Sequence, residues 1–412
     1  MIPLAFASLR SRNVRLFLAG QSVSLVGVWI QQVALSWLVY RLTGSPLVLG
    51  VVGAAGQLPA LVLMPVAGTF ADRWNRRRIL IVTQSVAMAL ALALAAVVLA
   101  GVAAVWQLVA IGALLGLVGA LDVPARQAFI ADIVERRDDV GNAVALHAAI
   151  TNAGRLIGPS LGGALVVWGG EGICFLANAV SYAPILAALL AMRVAPERQA
   201  PEPQGVGGLR ETLRYAASIG PVGATLALVA LVTLAGRPYT VLLPVIAAEV
   251  LQGGPQILGW LMAASGTGAL AGTLILSAHR ALGRSAGLIT LGAALAGGAL
   301  ALFALSETLW LSLGLMVATG FGVTVLLASS NALIQTRVAD TRRGRVMALY
   351  TTAFVGLAPV GALLAGGLAT GLGAGRTLLL GGLCCVAGAL ALARRAGVVG
   401  RSAGDASHSP SA

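Results

Sequence analysis

The stretch TNAGRLIGPSLGG, Thr151–Gly163, lies inside a run that is apolar from about Ala143 to Trp168. It places an arginine, Arg155, about 13 residues from either end of that run, with Gly154, Gly158 and Gly162 at every fourth position and Pro159 between them. As a helix rising about 1.5 Å per residue, the run holds Arg155 roughly 20 Å from both ends. Whether that is tolerable depends on the solvent, and the composition identifies the solvent. The chain is 58% hydrophobic and 10% charged, with a mean hydropathy of +0.93. A soluble protein carries about a quarter charged residues. Lipid is therefore the main solvent, and a soluble fold is excluded. In hydrocarbon only helices or a closed barrel satisfy the backbone. The apolar runs are about 20–28 residues long without two-residue alternation, so the chain reads as an all-α membrane protein.

Twelve helices are expected, near 15–40, 46–71, 79–100, 104–127, 142–168, 172–193, 219–249, 256–278, 286–305, 309–335, 346–370 and 376–393. The connections alternate between short, nearly uncharged ones and basic ones. All 27 basic residues are arginine; 23 of them fall on the basic connections and the two ends of the chain. The positive-inside rule makes those connections and both termini cytoplasmic. The stretch 194–218, rich in Pro, Gly and charge, reads as a cytoplasmic linker between six-helix halves at 1–193 and 219–395, and 396–412 reads as a disordered tail. The halves echo one another: DRWNRR (Asp72–Arg77) with HRALGR (His279–Arg284), and RLIGPSLGGAL (Arg155–Leu165) with VGLAPVGALLAGG (Val355–Gly367). Parallel repeats of this kind mark one transporter architecture, two pseudo-symmetric bundles with the substrate bound near the midplane.

On these residues the chain resembles the major facilitator superfamily over its whole length. GTFADRWNRRRIL is similar to the loop between the second and third helices of that family: Gly68, Asp72, Arg73, Arg76 and Arg77 match, and Asn75 replaces a glycine, a residue tolerant of a left-handed turn. The resemblance implies that Asp72, Arg73 and Arg77 form a cytoplasmic latch; Arg76 and Arg78 are also explained by the topology rule. GRLIGPSLGGAL resembles the fifth-helix signature of drug antiporters, with Gly154, Gly158, Pro159, Gly162 and Gly163 in register. Residues 121–134 and 242–270 look like the branch containing the enterobactin exporter and macrolide-efflux proteins. What the resemblance implies is a secondary transporter of the bacterial plasma (inner) membrane, working by alternating access and exchanging its substrate against protons. Siderophore export and drug resistance are the associated roles. An importer or lipid transporter of the same fold, and a membrane sensor that no longer transports, are the rival readings.

The polar residues within spans are the site candidates. Thr151 and His147 precede Arg155 by one and two turns, and Asn152 lies on a nearby face. Arg237, beside Pro238 and Tyr239, is similarly deep. A lone arginine at mid-depth costs between about 3 and 15 kcal/mol, so each faces a wet cavity or a partner; backbone carbonyls at the neighbouring helix breaks are the alternative to substrate. Gln21, Ser24, Gln31 and Gln32 in the first helix, with Trp29 and Trp37 nearby, point to a lumen, as do Gln57, Gln84 and Asn331. The glycine stripe reads as a seam for close helix approach. No acid is read at mid-depth, so an anionic or electron-rich small molecule is the expected substrate. Asp122, near the cytoplasmic face, and Glu249, near the outer end of the seventh helix, are the proton-carrier candidates.

Other classes are disfavoured. The arginines are scattered rather than gathered into a patch, so no nucleic-acid partner is expected. Cys174, Cys384 and Cys385 lie in apolar runs without metal-like spacing, so no metal is expected. There is no lysine and no Walker-type loop, and no intramembrane cluster of His, Asp and Glu; neither an enzyme nor a cofactor is expected. The N-terminus lacks a cleavable signal pattern. A monomer is expected.

Overall fold

The computed structural model describes residues 4–59, 61–63, 74–192, 209–278 and 286–406, and their side chains except those of 4–6, 209 and 395–406. Every regular element among them is helical, and ten helices are long and apolar enough to cross a membrane. α1 (Arg12–Thr43) closes at Gly44, whose φ of 59° brings its N–H to Tyr40 O at 2.7 Å. α2 (Pro46–Ala55) opens on Ser45, which caps the Val48 N–H. α3 (Arg76–Leu99) and α4 (Val105–Asp132) follow. Val140–Ala191 is helical except at Gly170, with φ 79° and ψ 175°. A straight helix of 52 residues would run about 78 Å, more than twice the hydrocarbon core. Cys174 Sγ lies 3.8 Å from Gly162 O, as expected of a chain that doubles back at Gly170. The two arms are α5 (140–169) and α6 (171–191).

After α7 (Leu209–Ser218) and α8 (Gly220–Leu231) comes a π-helical turn, Val232–Gly236. Pro238 has no N–H to continue the ladder, and wide turns of this kind absorb such a break. α9 (Tyr239–Val245) runs into a second π turn, Ile246–Val250. The remaining elements are α10 (Pro255–Ala278), α11 (Ala286–Phe303), α12 (Leu309–Arg337), α13 (Asp340–Thr351), a third π turn (Thr352–Gly356), α14 (Ala358–Leu372) and α15 (Ala374–Ala406). Large apolar side chains stay on the surface, Trp168 and Trp310 among them at 80% and 83% exposure. A water-facing surface would not leave so many there, so the chain is a multi-pass membrane protein.

The chain divides into two compact units. The first is Met1–Gln204 with Thr240–Gly266; the second is Gly205–Tyr239 with Thr267–Ala412. The core of the first centres on Phe17, Phe129, Ile185 and Leu189, with the two Phe rings edge to face at 5.7 Å. The core of the second joins Val229, Ile289, Leu326, Leu333 and Val346. This differs from the expected split at 193 and 219, because 240–266 packs with the N-terminal unit. The reason is steric: a Cβ on Gly259 would lie 2.4 Å from Pro159 O, and one on Gly266 would lie 2.6 Å from Arg155 O, so α10 is pressed against α5.

Two further expectations change. The stretch expected as a linker is helical over Leu209–Ser218; Arg342 stacks over Tyr215 at 4.5 Å and pairs with Glu211 at 3.5 Å, which anchors this short amphipathic helix. Residues 193–208 lie outside the described residues. The stretch expected as a disordered tail continues α15 to Ala406, a continuation that extends the ladder of the preceding helix rather than starting a new one. Of the helix expected at 46–71, residues 60 and 64–71 lie outside the described residues.

Candidate substrate path

The glycines of the fifth helix bring two helices against α5. A Cβ on Gly158 would lie 2.4 Å from Trp29 Cβ and 2.9 Å from Val26 O; one on Gly154 would meet Leu25, and one on Gly162 would meet Ile30. All of these are contacts with α1. Gly163 turns to the other side, 2.7 Å from Pro255 O by the same construction. The signature is thus a seam with two faces. Arg155 rises from it with Cζ 5.2 Å from the centroid of Trp29. Its Nε is buried and finds no hydrogen-bond partner among the described residues. Thr151 Oγ1 donates to His147 O at 2.9 Å, so that hydroxyl is committed to its own helix. Asn152 is half-buried.

Arg237 is placed differently. Its Nη1 donates to Phe354 O at 2.8 Å, and its Cζ lies 4.4 Å over the Phe354 ring. That carbonyl belongs to the third π turn, so the guanidinium meets backbone at a helix break. Tyr239 is buried. Asn331 Oδ1 accepts from Gln335 one turn on. Of the first-helix glutamines, Gln21 is buried; Gln31 is buried and accepts from Asn178 Nδ2 at 2.7 Å, which turns it toward α6; Gln32 is exposed beside Ser36.

The acids form a second constellation. Asp122 is 3% exposed. Its Oδ1 accepts from Thr83 Oγ1 at 2.9 Å and Gln84 Nε2 at 2.7 Å, and Arg126, one turn along α4, pairs with its Oδ2. A carboxylate without such company would not remain ionised in this setting. Counting charges by connection places Arg126 in a loop and misses it as a partner; the signal that finds it is the four-residue spacing Asp122–Arg126 inside one helical run. Glu249 is exposed and accepts from Tyr40 Oη at 3.1 Å. At the same end of α1, Arg41 grips Glu171 with Nε to Oε1 at 2.8 Å and Nη2 to Oε2 at 3.1 Å.

At the expected latch, Gly68, Asp72 and Arg73 lie outside the described residues. Arg77 donates from Nε to Leu189 O at 2.7 Å and from Nη2 to Leu190 O at 3.0 Å, closing the last turn of α6. Arg76 Nη1 pairs with Asp132 at 2.9 Å. Asn75 has φ −60° and caps the Arg78 N–H at 3.0 Å; it is an N-cap, not a left-handed turn, because its side chain replaces a missing acceptor at the start of α3.

The apolar helices define the class as a multi-pass membrane protein, and the family model, which matches nearly the whole chain, makes it a transporter of the major facilitator superfamily. The chain belongs to the transmembrane secretion effector family, whose model matches residues 4–409. Similar proteins include the multidrug efflux pump Tap of Mycolicibacterium fortuitum, 31% identical over 86% of this chain and 88% of that one. The Staphyloferrin A transporter of Staphylococcus aureus is 27% identical over 63% of this chain and 66% of its own. Macrolide efflux protein A of Streptococcus pyogenes is 23% identical over 90% and 93%. In fold, the inward-facing crystal structure of a bacterial homologue of the iron transporter ferroportin matches with a TM-score of 0.67 at 16% identity, over 93% of this chain and 98% of that one. The efflux branch expected from residues 121–134 and 242–270 is the branch in which these relatives fall.

Proposed function

We propose that the chain exports a small molecule, a siderophore or drug-like compound, from the bacterial cytoplasm across the inner membrane. It does so by alternating access and in exchange for protons. Tap, the Staphyloferrin A transporter and macrolide efflux protein A support transport of this class. Ten spans, one of them folded back at Gly170, with the helix at 46–71 described only in part, support twelve helices in two pseudo-symmetric bundles with both termini cytoplasmic. The monomer is the working unit, and Asp72, Arg73 and Arg77 latch the cytoplasmic side.

The observation that carries the energy coupling is Asp122. It is an acid buried inside a span, held by three donors, and it has two definite states. Ionised, it is paired with Arg126. Protonated, it is neutral and releases the guanidinium. A proton taken up there changes the local charge by one and leaves the Arg126 guanidinium without its counter-ion, the imbalance that drives the change of state. Glu249 is the second carrier candidate, placed at the outer end of its helix. Substrate passes Gln21, Gln31, Gln32, Thr151, Asn152, Arg155, Arg237, Tyr239 and Asn331.

Everted membrane vesicles test this reading. Siderophores and a panel of antibiotics are offered, and substrate-induced collapse of the pH gradient is followed. Accumulation inside everted vesicles is expected, with proton release lost in Asp122→Asn. Uptake only into right-side-out vesicles would make the chain an importer. Proton exchange intact in both Asp122→Asn and Glu249→Gln would leave neither as carrier.

A further inference from the structure

Among the described residues three arginines, Arg126, Arg155 and Arg237, lie well inside apolar spans, and two of them have acceptors. Arg126 has Asp122, and Arg237 has Phe354 O. Among the described residues Arg155 makes no hydrogen bond and no ion pair, and its buried Nε–H is left without an acceptor. What it has is an indole, with Cζ 5.2 Å from the Trp29 centroid. The backbone beneath it is fixed on both sides. Gly154 and Gly158 hold α5 to α1, and Arg155 O abuts Gly266 of α10.

A guanidinium stacked on a ring keeps its N–H donors in the plane and at the rim, the geometry that a carboxylate meets with two parallel bonds. The indole beside it offers a flat surface on which an aromatic body can continue the stack. A lipid headgroup does not reach this point, because Arg155 stands roughly 20 Å from either end of its helix. We infer that Arg155 and Trp29 form a binding subsite for an organic anion whose carboxylate sits on an aromatic ring, which names the substrate class of the transporter proposed above and rests on that reading.

The test uses the full chain in nanodiscs and three probes of one shape: 2-naphthoate, the neutral 2-naphthylmethanol and the cationic 2-naphthylmethylammonium. Equilibrium binding is measured for each by calorimetry. The wild type is expected to hold naphthoate about 10- to 100-fold more tightly than the alcohol, the range of a charge-assisted hydrogen bond, and the ammonium most weakly. Arg155→Gln removes that preference, and Trp29→Leu weakens naphthoate binding about fivefold while keeping the order of the probes. A wild type that binds all three alike, or an Arg155→Gln protein that keeps the naphthoate preference, overturns the subsite. The wild-type comparison needs no variant to fold, and it is independent of transport direction, so a failure of the export reading in vesicles is seen separately.

Discussion

At the scale of single residues, what matters is how much room a side chain has and what it is paired with. Gly158 and Gly119 make the contrast. A methyl group at 158 would lie 2.4 Å from Trp29 Cβ, and one at 119 would meet nothing within 4 Å. Gly158→Ala is expected to destabilise by about 1–3 kcal/mol through overpacking, and Gly119→Ala to be neutral or stabilising by up to about 1 kcal/mol through helix propensity; thermal unfolding in detergent, followed by circular dichroism, compares them. Asp122→Asn leaves Arg126 buried beside a neutral amide and is expected to cost about 3–5 kcal/mol. The double change Asp122→Asn with Arg126→Met should regain most of that stability without regaining proton exchange. These pairings are only partly legible in the sequence. The four-residue glycine spacing is enough by itself to announce a seam. Arg126 is hidden, because counting charges by connection assigns it to a loop when it lies two turns inside α4. The cost of a glutamine in lipid points Gln31 to a lumen; Asn178 on a neighbouring helix meets that cost instead, and nothing in the linear pattern pairs positions 31 and 178.

Helix ends carry a different kind of information. Arg77 closes α6 by donating to Leu189 O and Leu190 O, two carbonyls that the helix itself leaves without donors. Arg77→Ala is expected to loosen that end by about 1.5–3 kcal/mol, visible as faster hydrogen exchange at the Met192 amide, which bonds to Ala188 O, with the amides of α5 unchanged. Spans themselves are legible, since hydropathy reports the solvent directly. Their interruptions are not. Pro238 marks one break, but the carbonyl that the π turn at 352–356 offers Arg237 through Phe354 lies more than a hundred residues away from that arginine. Asn75 shows the same limit: a glycine-like residue in a basic loop suggests a left-handed turn, and the structure uses its side-chain oxygen as a cap.

For the molecule as a whole, the arginine asymmetry yields an orientation that labelling can check. In a background with the native cysteines replaced, a cysteine at Ala103 or Glu307 should react with a membrane-impermeant maleimide in intact cells, and one at Asp138 only after permeabilisation. The reverse pattern would invert the topology. The division into units is the part least visible in the sequence. Internal repeats suggest two equal halves, and the contacts of Gly259 and Gly266 with α5 instead place 240–266 in the first unit. One joint bears on how such a chain is made. A single non-helical residue, Gly170, separates α5 from α6, so α6 has no loop in which to wander and turns back directly against an α5 that is already made. With φ at 79°, a value that a residue bearing a Cβ rarely adopts, Gly170→Ala is expected to slow the pairing of the two arms.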